Sequence, residues 1–417
     1  MAPKKQHHIE TLLLHGAYSP DAATGATVMP LHQSTAFAYK TAEDIESVFA
    51  GKDAGFIYSR INNPTLDMFE RKLKTLEDGL AAISVSSGMA AISTTALALA
   101  GPGDEIIAGK SVFGGTYSLF SATLKRYGIT TKFVDTCNVE AYSEAVSDRT
   151  KMIFVETLSN PKTDVPDIAA ISAIARKHGI VLVVDNTVTT PLLLQAKTLG
   201  ADIVVHSTSK YINGHGNSVG GIIIDSGTFD WSNPRYEHLE PFYKKARHFA
   251  FLAYLRNQVY RDLGCCLSPF NAFLMSIGIE SLGVRMERHC SNGMAVARYL
   301  ANSDKVHNVR YPGLESHSGN KTAVKQFKNG FGALMSISLG TKERCFKFIN
   351  GLVLAQNLAN IGDVRTLVIH PGSTICRDGT EAERAAMGAT DDIVRLCIGL
   401  ENIDDIIADL EASLAGI

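Results

Sequence analysis

The run HSTSKYINGHG sets Lys210 just after an apolar stretch, among hydroxyl residues and with glycines following. A lysine amine at the end of a buried strand, rather than on a solvated helix face, can act as a covalent catalyst. On this stretch alone an ordinary loop cation fits equally well. Asp185 closes a second apolar run, VLVVD. A carboxylate there must pair or hydrogen-bond, because burying it bare is costly. A structural arginine or a protonated ligand nitrogen would each suffice. Ser86, Ser87, Gly88, Met89 and Ala90 form a third cluster, between a strand-like run and a helix-like one. Backbone amides at such a helix start, with the helix dipole, favour an anion such as phosphate. The plain alternative is a glycine-hydroxyl cap. The cluster lacks the spacing of a dinucleotide fingerprint and has no GK[ST] ending, so neither NAD nor a nucleoside triphosphate is indicated.

An anion site, a carboxylate and an amine nucleophile are together what pyridoxal phosphate requires. The first holds its phosphate, the second pairs its pyridinium nitrogen and the third binds its aldehyde. Two other readings compete. Ser207 and Lys210 satisfy S-x-x-K, the serine–lysine motif of penicillin-binding proteins, but the KTG-type strand that class needs is absent. A non-catalytic binding scaffold would leave unexplained why so many reactive residue types gather at strand ends.

The elements that must position these residues alternate regularly. Short apolar runs occur at 82–85, 105–108, 132–134, 152–155, 181–184, 203–205 and 221–224, with helical stretches such as 168–178 between most of the earlier ones. Continuous apolar strands alternating with helices predict a largely parallel sheet covered on both faces. Ligands bind beyond the carboxyl ends of such strands. The 86–88 turn, Glu156, Asp185 and 207–210 all fall there. Before this region, residues 1–64 show no sustained period and read as an extended arm without a core, lying on something else, such as another subunit. Leu66, Phe69, Leu73 and Leu76 then mark an amphipathic helix that Gly79 stops. An aromatic-rich insertion at about 226–270 reads as a loop with its own small packing cluster. Residues 270–300 read as mainly helical, and strands at 334–339 and 394–398 with a last helix at 403–410 complete a smaller α/β unit. The expected division is an arm (1–64), a large cofactor-binding domain (65–285) and a C-terminal domain (286–417).

The balance of the chain is that of a soluble globular protein, with 45% hydrophobic residues, 20% charged residues and a formal net charge of -2. No long basic run supports nucleic-acid binding. Lys4 and Lys5, followed by His7 and His8, read as a solvated tail, and no signal peptide is expected. The seven cysteines, at 137, 265, 266, 290, 345, 376 and 397, form no CxxC pair. That pattern fits reduced thiols in a cytoplasmic protein, with no disulfide frame and no metal site. The uncharged stretch 80–103 is broken by Gly88, serines and threonines, so a strand plus a packed helix explains it better than a membrane span.

The runs YSRINNPT, SSGMAAI, ETLSNP, VVDNT, HSTSKYINGHG and VRLCIGLENIDD, in that order, resemble the cysteine/methionine-metabolism (trans-sulfuration) family of pyridoxal-phosphate enzymes over nearly the whole chain. The resemblance implies an aspartate-aminotransferase-like fold (fold type I), with a seven-stranded mostly parallel sheet and a smaller C-terminal α/β domain. It also implies a homotetramer, a dimer of dimers with shared active sites. Lys210 would be the Schiff-base and proton-shuttling residue, with Tyr58 as a further catalytic group. Asp185 would pair the pyridinium nitrogen, and Ser87, Gly88, Met89, Ser207 and Ser209 would bind the phosphate. Tyr58 and Arg60, on the arm, would reach the phosphate of the neighbouring subunit. Asn160 would bond near the ring hydroxyl, and Arg395 would clamp the substrate carboxylate in the two-pronged geometry of a guanidinium.

Within the family, the long insertion, the segment RDLGCCLSPFNAFL and Arg365-Thr366-Leu367 point to the branch acting on O-acetylhomoserine. Arg365 and Thr366 join the expected substrate site. The implied reaction is a γ-replacement in which sulfide or a small thiol displaces acetate, giving homocysteine or an analogue. Methionine γ-lyase and cystathionine γ-synthase share the cofactor site and remain alternatives. Phe113, in VFGGTY, stands where many relatives place a tyrosine stacked on the ring. A phenylalanine stacks but moves no proton. Any acid–base role then passes to Lys210, Tyr58 or water, with Tyr117 a weaker stand-in. HPGSTICR also departs from the family's more frequent forms. Substrate choice is expected to fall to the arm, Phe113, Arg365 and the aromatic insertion.

Overall fold

Strand-forming, β-branched runs build the larger sheet. It comprises β1 (Ala81–Val85), β2 (Glu105–Gly109), β3 (Thr130–Val134), β4 (Thr150–Glu156), β5 (Val181–Asp185), β6 (Ile203–His206) and β7 (Gly221–Asp225). The computed structural model describes residues 7–17, 19–21 and 24–417, so Lys4 and Lys5 lie outside the described residues. The strand order is β1-β7-β6-β5-β4-β2-β3. Only β7 runs against its neighbours, pairing antiparallel with β1 and β6. The alternation read from the sequence therefore produces the expected mostly parallel sheet. Its two faces are sealed by separate cores. Leu182, Val184 and Val204 belong to one, and Val183, Val205 and Ile203 to the other, which is why these strands are apolar at every position.

Helix α1 (Ile9–His15) and helix α2 (Ala42–Phe49) lie in the stretch expected to be an unstructured arm. Helix α2 starts with a capping box, Thr41 accepting from the Asp44 amide and Asp44 from the Thr41 amide. Its side chains are not buried, whereas α1 inserts Leu13 into the first core. Helix α3 (Pro64–Leu76) has proline in its first turn and the Asn63 side chain as cap, and it buries Leu66, Phe69, Leu73 and Leu76. Helix α4 (Gly88–Leu99) follows β1 at once, and Ser87 Oγ caps it by accepting from the Ala90 amide at 3.0 Å.

The aromatic insertion is not a loop with its own cluster. Much of it is helical, as at Glu240–Ala246 and Ala250–Tyr254. Trp231, Tyr236, Phe251 and Tyr260 are fully buried within the second core, beside Ile83 and Val183. Four large aromatic side chains bury too much apolar surface to form a satellite, so they extend the main core instead.

The smaller sheet contains β8 (Asn308–Arg310), β9 (Leu334–Ser338), β10 (Gln356–Asn357), β11 (Leu367–Ile369) and β12 (Ile393–Cys397). Its order is β10-β11-β12-β9-β8. Helices Pro269–Glu280 and Leu282–Ala301 lead into it, and the last helix, Ile403–Ala415, buries Ile406, Leu410 and Leu414 in its core. On β12, Val394 and Leu396 enter that core, so the intervening Arg395 projects the other way, towards the larger sheet. Among the described residues, no helix is long and apolar enough to cross a membrane.

Candidate active site

A cavity of about 800 Å³ opens over the carboxyl ends of the central strands of the larger sheet. Ser87, Gly88, Met89, Phe113, Asn160, Asp185, Ser207, Ser209, Lys210 and Arg395 all line it. The chain thus brings together residues from six separate segments, at the position that parallel sheets reserve for ligands.

One wall is a cradle with no space for side chains. A Cβ at Gly88 would lie 2.5 Å from Ser207 Cβ, and one at Gly221 would lie 2.2 Å from the Ser87 carbonyl oxygen. Glycine at both positions lets the β1–α4 turn abut the end of β6. Helix α4 starts at this gap, where its first amides lack i−4 partners, and Ser207 Oγ would lie 2.9 Å from a Cβ at Gly88. Ser209 is held by Gly220, whose amide donates to its Oγ at 3.0 Å. A cradle of amides and hydroxyls that a Cβ would fill suits a phosphate group.

On the floor, Asp185 and Glu156 are register neighbours on β5 and β4. Burial raises both carboxyls above their ordinary range, and the charge of Asp185 raises Glu156 further. Asp185 is counterbalanced by Thr187, whose amide donates to Oδ1 at 2.9 Å, and by nearby His206. Glu156 accepts from the Phe113 amide at 2.7 Å and so fixes the residue expected to stack on the ring. Asp185, held by Thr187, suits a protonated ring nitrogen, whose positive charge would favour its ionised form.

Lys210 Nζ donates to Asn360 Oδ1 at 2.6 Å. Burial first, and the positive charge of Arg395 second, lower its pKa to about 8, against an opposing influence from Cys397. An amine so lowered is partly neutral near pH 7 and can attack a carbonyl or take a proton. Arg395 is itself buried, and its guanidinium donates to Asn160 Oδ1 at 3.2 Å and to the Asn360 carbonyl at 2.8 Å. Both acceptors are uncharged, and burial lowers the arginine pKa. A buried cation whose partners among the described residues are neutral is prepared for an anionic ligand.

Four expected residues do not line the cavity. Tyr58 is exposed on the arm, and the Arg60 guanidinium lies over its ring at 5.7 Å while donating to the Arg261 carbonyl. Arg365 pairs with Asp363 at 3.1 Å. The Thr366 hydroxyl donates to Glu401 at 2.8 Å and accepts from the Gly399 amide at 2.9 Å, which ties β11 to the loop after β12. None of the aromatic insertion reaches the cavity either. Tyr117 donates to Glu383 at 2.7 Å, and burial with that carboxylate pushes its pKa up to about 12. It is therefore poorly suited to replace the hydroxyl missing at Phe113. Other lining residues, including Thr187, Val219, Asn360 and Ile375, went unselected in the sequence. Thr187 carried a signal as the end of the VVDNT run, and Ile375 as part of the unusual HPGSTICR block.

A mostly parallel sheet with an amine, a carboxylate and an anion cradle at its strand ends defines a pyridoxal-phosphate enzyme of the aspartate-aminotransferase type. The match to the Cys/Met metabolism PLP-dependent enzyme family covers residues 10–415. The chain belongs to that family. Among curated relatives, the homocysteine synthase of Schizosaccharomyces pombe is 42% identical, over 99% of each chain. The O-acetyl-L-homoserine sulfhydrylase of Leptospira meyeri is 41% identical, over 98% of this chain and 97% of that one. A crystal structure from Campylobacter jejuni, provisionally assigned as an O-acetylhomoserine (thiol)-lyase, superposes with a TM-score of 0.94 at 36% identity. It covers 98% of this chain and 100% of its own, and contains an N'-pyridoxyl-lysine-5'-monophosphate residue.

Proposed function

We propose that the protein catalyses γ-replacement on O-acetylhomoserine, with sulfide or a small thiol displacing acetate to give homocysteine or an analogue. The observation that carries this reading is the pairing of Lys210 and Arg395, two cations that share Asn360 in one cavity. An amino-acid substrate would displace Lys210 at the cofactor with its amino group and set its carboxylate on Arg395. The names of the full-length relatives supply the identity of the ester.

When bound, pyridoxal phosphate supplies an electron sink beside the substrate nitrogen, which lets protons leave Cα and Cβ and lets acetate leave Cγ. The chain's own residues do the rest. Ser87, Gly88, Met89, Ser207 and Ser209 would hold the phosphate, and Asp185 would pair the ring nitrogen. Phe113 would stack on the ring, and Asn160 would bond near its hydroxyl. Arg395 takes the substrate carboxylate, fixing Cα within reach of Lys210. The lysine amine, once free, removes the Cα proton. Tyr58 and Arg60 complete the phosphate site of a neighbouring subunit in a homotetramer, and Arg365 and Thr366 shape the substrate side by bracing β11 rather than by touching the ester.

The test is to incubate purified holoenzyme with O-acetylhomoserine plus sulfide, methanethiol or cysteine, and separately with methionine alone. Homocysteine or its S-methyl analogue from the first set is the expected result. Ketobutyrate released rapidly from methionine alone would overturn replacement in favour of elimination. Lys210→Ala should lose nearly all turnover, and a variant that retains it would remove the lysine from the assignment.

A further inference from the structure

Beneath the cofactor floor, on the opposite face of the larger sheet, lies a polar cluster that the proposed reaction leaves unused. Glu77, just past the end of α3, is fully buried, as is His206 at the end of β6, and the two meet at 2.6 Å through Glu77 Oε1 and His206 Nε2. The same oxygen accepts from Asn186 Nδ2 at 2.7 Å. Asn186 also receives the Thr189 hydroxyl, and that hydroxyl contacts Thr157 at 2.8 Å. Glu77 Oε2 and His206 Nδ1 are buried without hydrogen-bond partners among the described residues. Such a group is costly among Val184, Val204 and Ile222, so it calls for a role beyond packing.

Its position suggests the role. Asn186 directly follows Asp185, and His206 directly precedes Ser207. The Asn186 amide donates to the Val205 carbonyl at 3.0 Å, and the Ser207 amide donates to Thr187 Oγ1 at 2.8 Å, so the two strand ends are already stitched together. Glu77 adds a clamp from a third element that grips both at once. We propose that Glu77 is a positioning residue for the cofactor, acting through His206 and Asn186 to fix the ends of β5 and β6 and so the placement of Asp185 and Ser207. His206 lies near enough to Asp185 to oppose the effect of its burial, and the Glu77 carboxylate holds both His206 and Asn186 through one oxygen. The inference rests on the proposed cofactor site and extends it to a residue that touches neither cofactor nor substrate.

Glu77→Gln separates charge from shape, because its amide oxygen still accepts from Asn186 and His206. Pyridoxal phosphate is titrated into cofactor-free wild type, Glu77→Gln and Glu77→Asp, following the visible circular dichroism of the bound cofactor, with thermal melting of each cofactor-free protein alongside. The expected result is a cofactor affinity about 10-fold weaker and an altered dichroic band in Glu77→Gln, with recovery to within about threefold in Glu77→Asp. Melting of the cofactor-free variants should stay near wild type. Wild-type affinity and an unchanged band in Glu77→Gln would overturn the inference alone. So would a loss that only tracks a lowered melting temperature. Wild type that binds no pyridoxal phosphate would instead overturn the cofactor site on which it rests.

Discussion

Arg395→Met should weaken the enzyme greatly without weakening the fold. Arg395 is 3% exposed and, among the described residues, donates to neutral acceptors, Asn160 and the Asn360 carbonyl. A substrate carboxylate would gain up to two charge-assisted hydrogen bonds from it, each contributing about 1.5–3 kcal/mol. Their loss corresponds to a fall of roughly 10²–10⁴ in kcat/KM, appearing mainly in KM if the contact is equally strong in ground and transition states. The empty enzyme experiences the opposite effect. Replacing a buried charge by an apolar side chain of similar volume is neutral or stabilises by about 1–4 kcal/mol, while the freed acceptors face a cavity that admits water. Removing the positive charge should also let the Lys210 pKa rise from about 8.

Three measurements check this together: steady-state kinetics with O-acetylhomoserine and sulfide, urea unfolding of the cofactor-free proteins, and the pH dependence with which cofactor-free enzyme captures pyridoxal phosphate. The expected pattern is a large rise in KM, unfolding free energy equal to or above wild type, and capture shifted to higher pH. A drop in unfolding free energy of about 3–5 kcal/mol, the cost of breaking a compensated buried pair, would refute the reasoning. It would mean that an anionic group already satisfies Arg395. An unchanged kcat/KM would remove the clamp.

Other predictions follow from single contacts. Gly221→Ala, whose Cβ would sit 2.2 Å from the Ser87 carbonyl oxygen, should open the cradle and weaken cofactor binding about 5- to 150-fold, on an overpacking cost of about 1–3 kcal/mol. Equilibrium titration of the cofactor checks it. Tyr117→Phe should change kcat by less than about threefold, far below the 10²–10⁴ typical of a lost acid–base group, because its hydroxyl is bonded to Glu383. Burial raises Asp225 from 3.8 to about 7 and Asp202 to about 6. A raised carboxyl stabilises the fold fully below its unfolded pKa, and that contribution is lost as pH rises through the folded one. For Asp225 this amounts to roughly 4 kcal/mol, lost between about pH 4 and pH 7. Urea unfolding at pH 5 and pH 7.5 should show a shallower fall in stability for Asp225→Asn than for wild type.

The parts of this molecule that could be read from the sequence are those whose signal is local. Each of the seven runs assigned to the larger sheet became a strand, because a strand covered on both faces is apolar at every position and announces itself within five residues. Lys210, Asp185 and the Ser87–Gly88 turn were legible for the same reason: each is a polar residue at the point where an apolar run stops. Strands β8, β10 and β11 have three, two and three residues, too few for any period. The insertion misled because aromatic residues spaced irregularly along the chain carry no face, yet its helices still deliver Trp231 and Phe251 to one stacked contact at 5.0 Å. Asn360 joins Lys210 across 150 positions, and Glu77 meets His206 across 129. Neither pairing leaves any mark in its own neighbourhood. Both link a strand end that could be recognised to a loop or helix end that could not. The residues that hold a cofactor were therefore readable from strand ends, whereas those that tune and brace the site appear only once the chain has folded against itself.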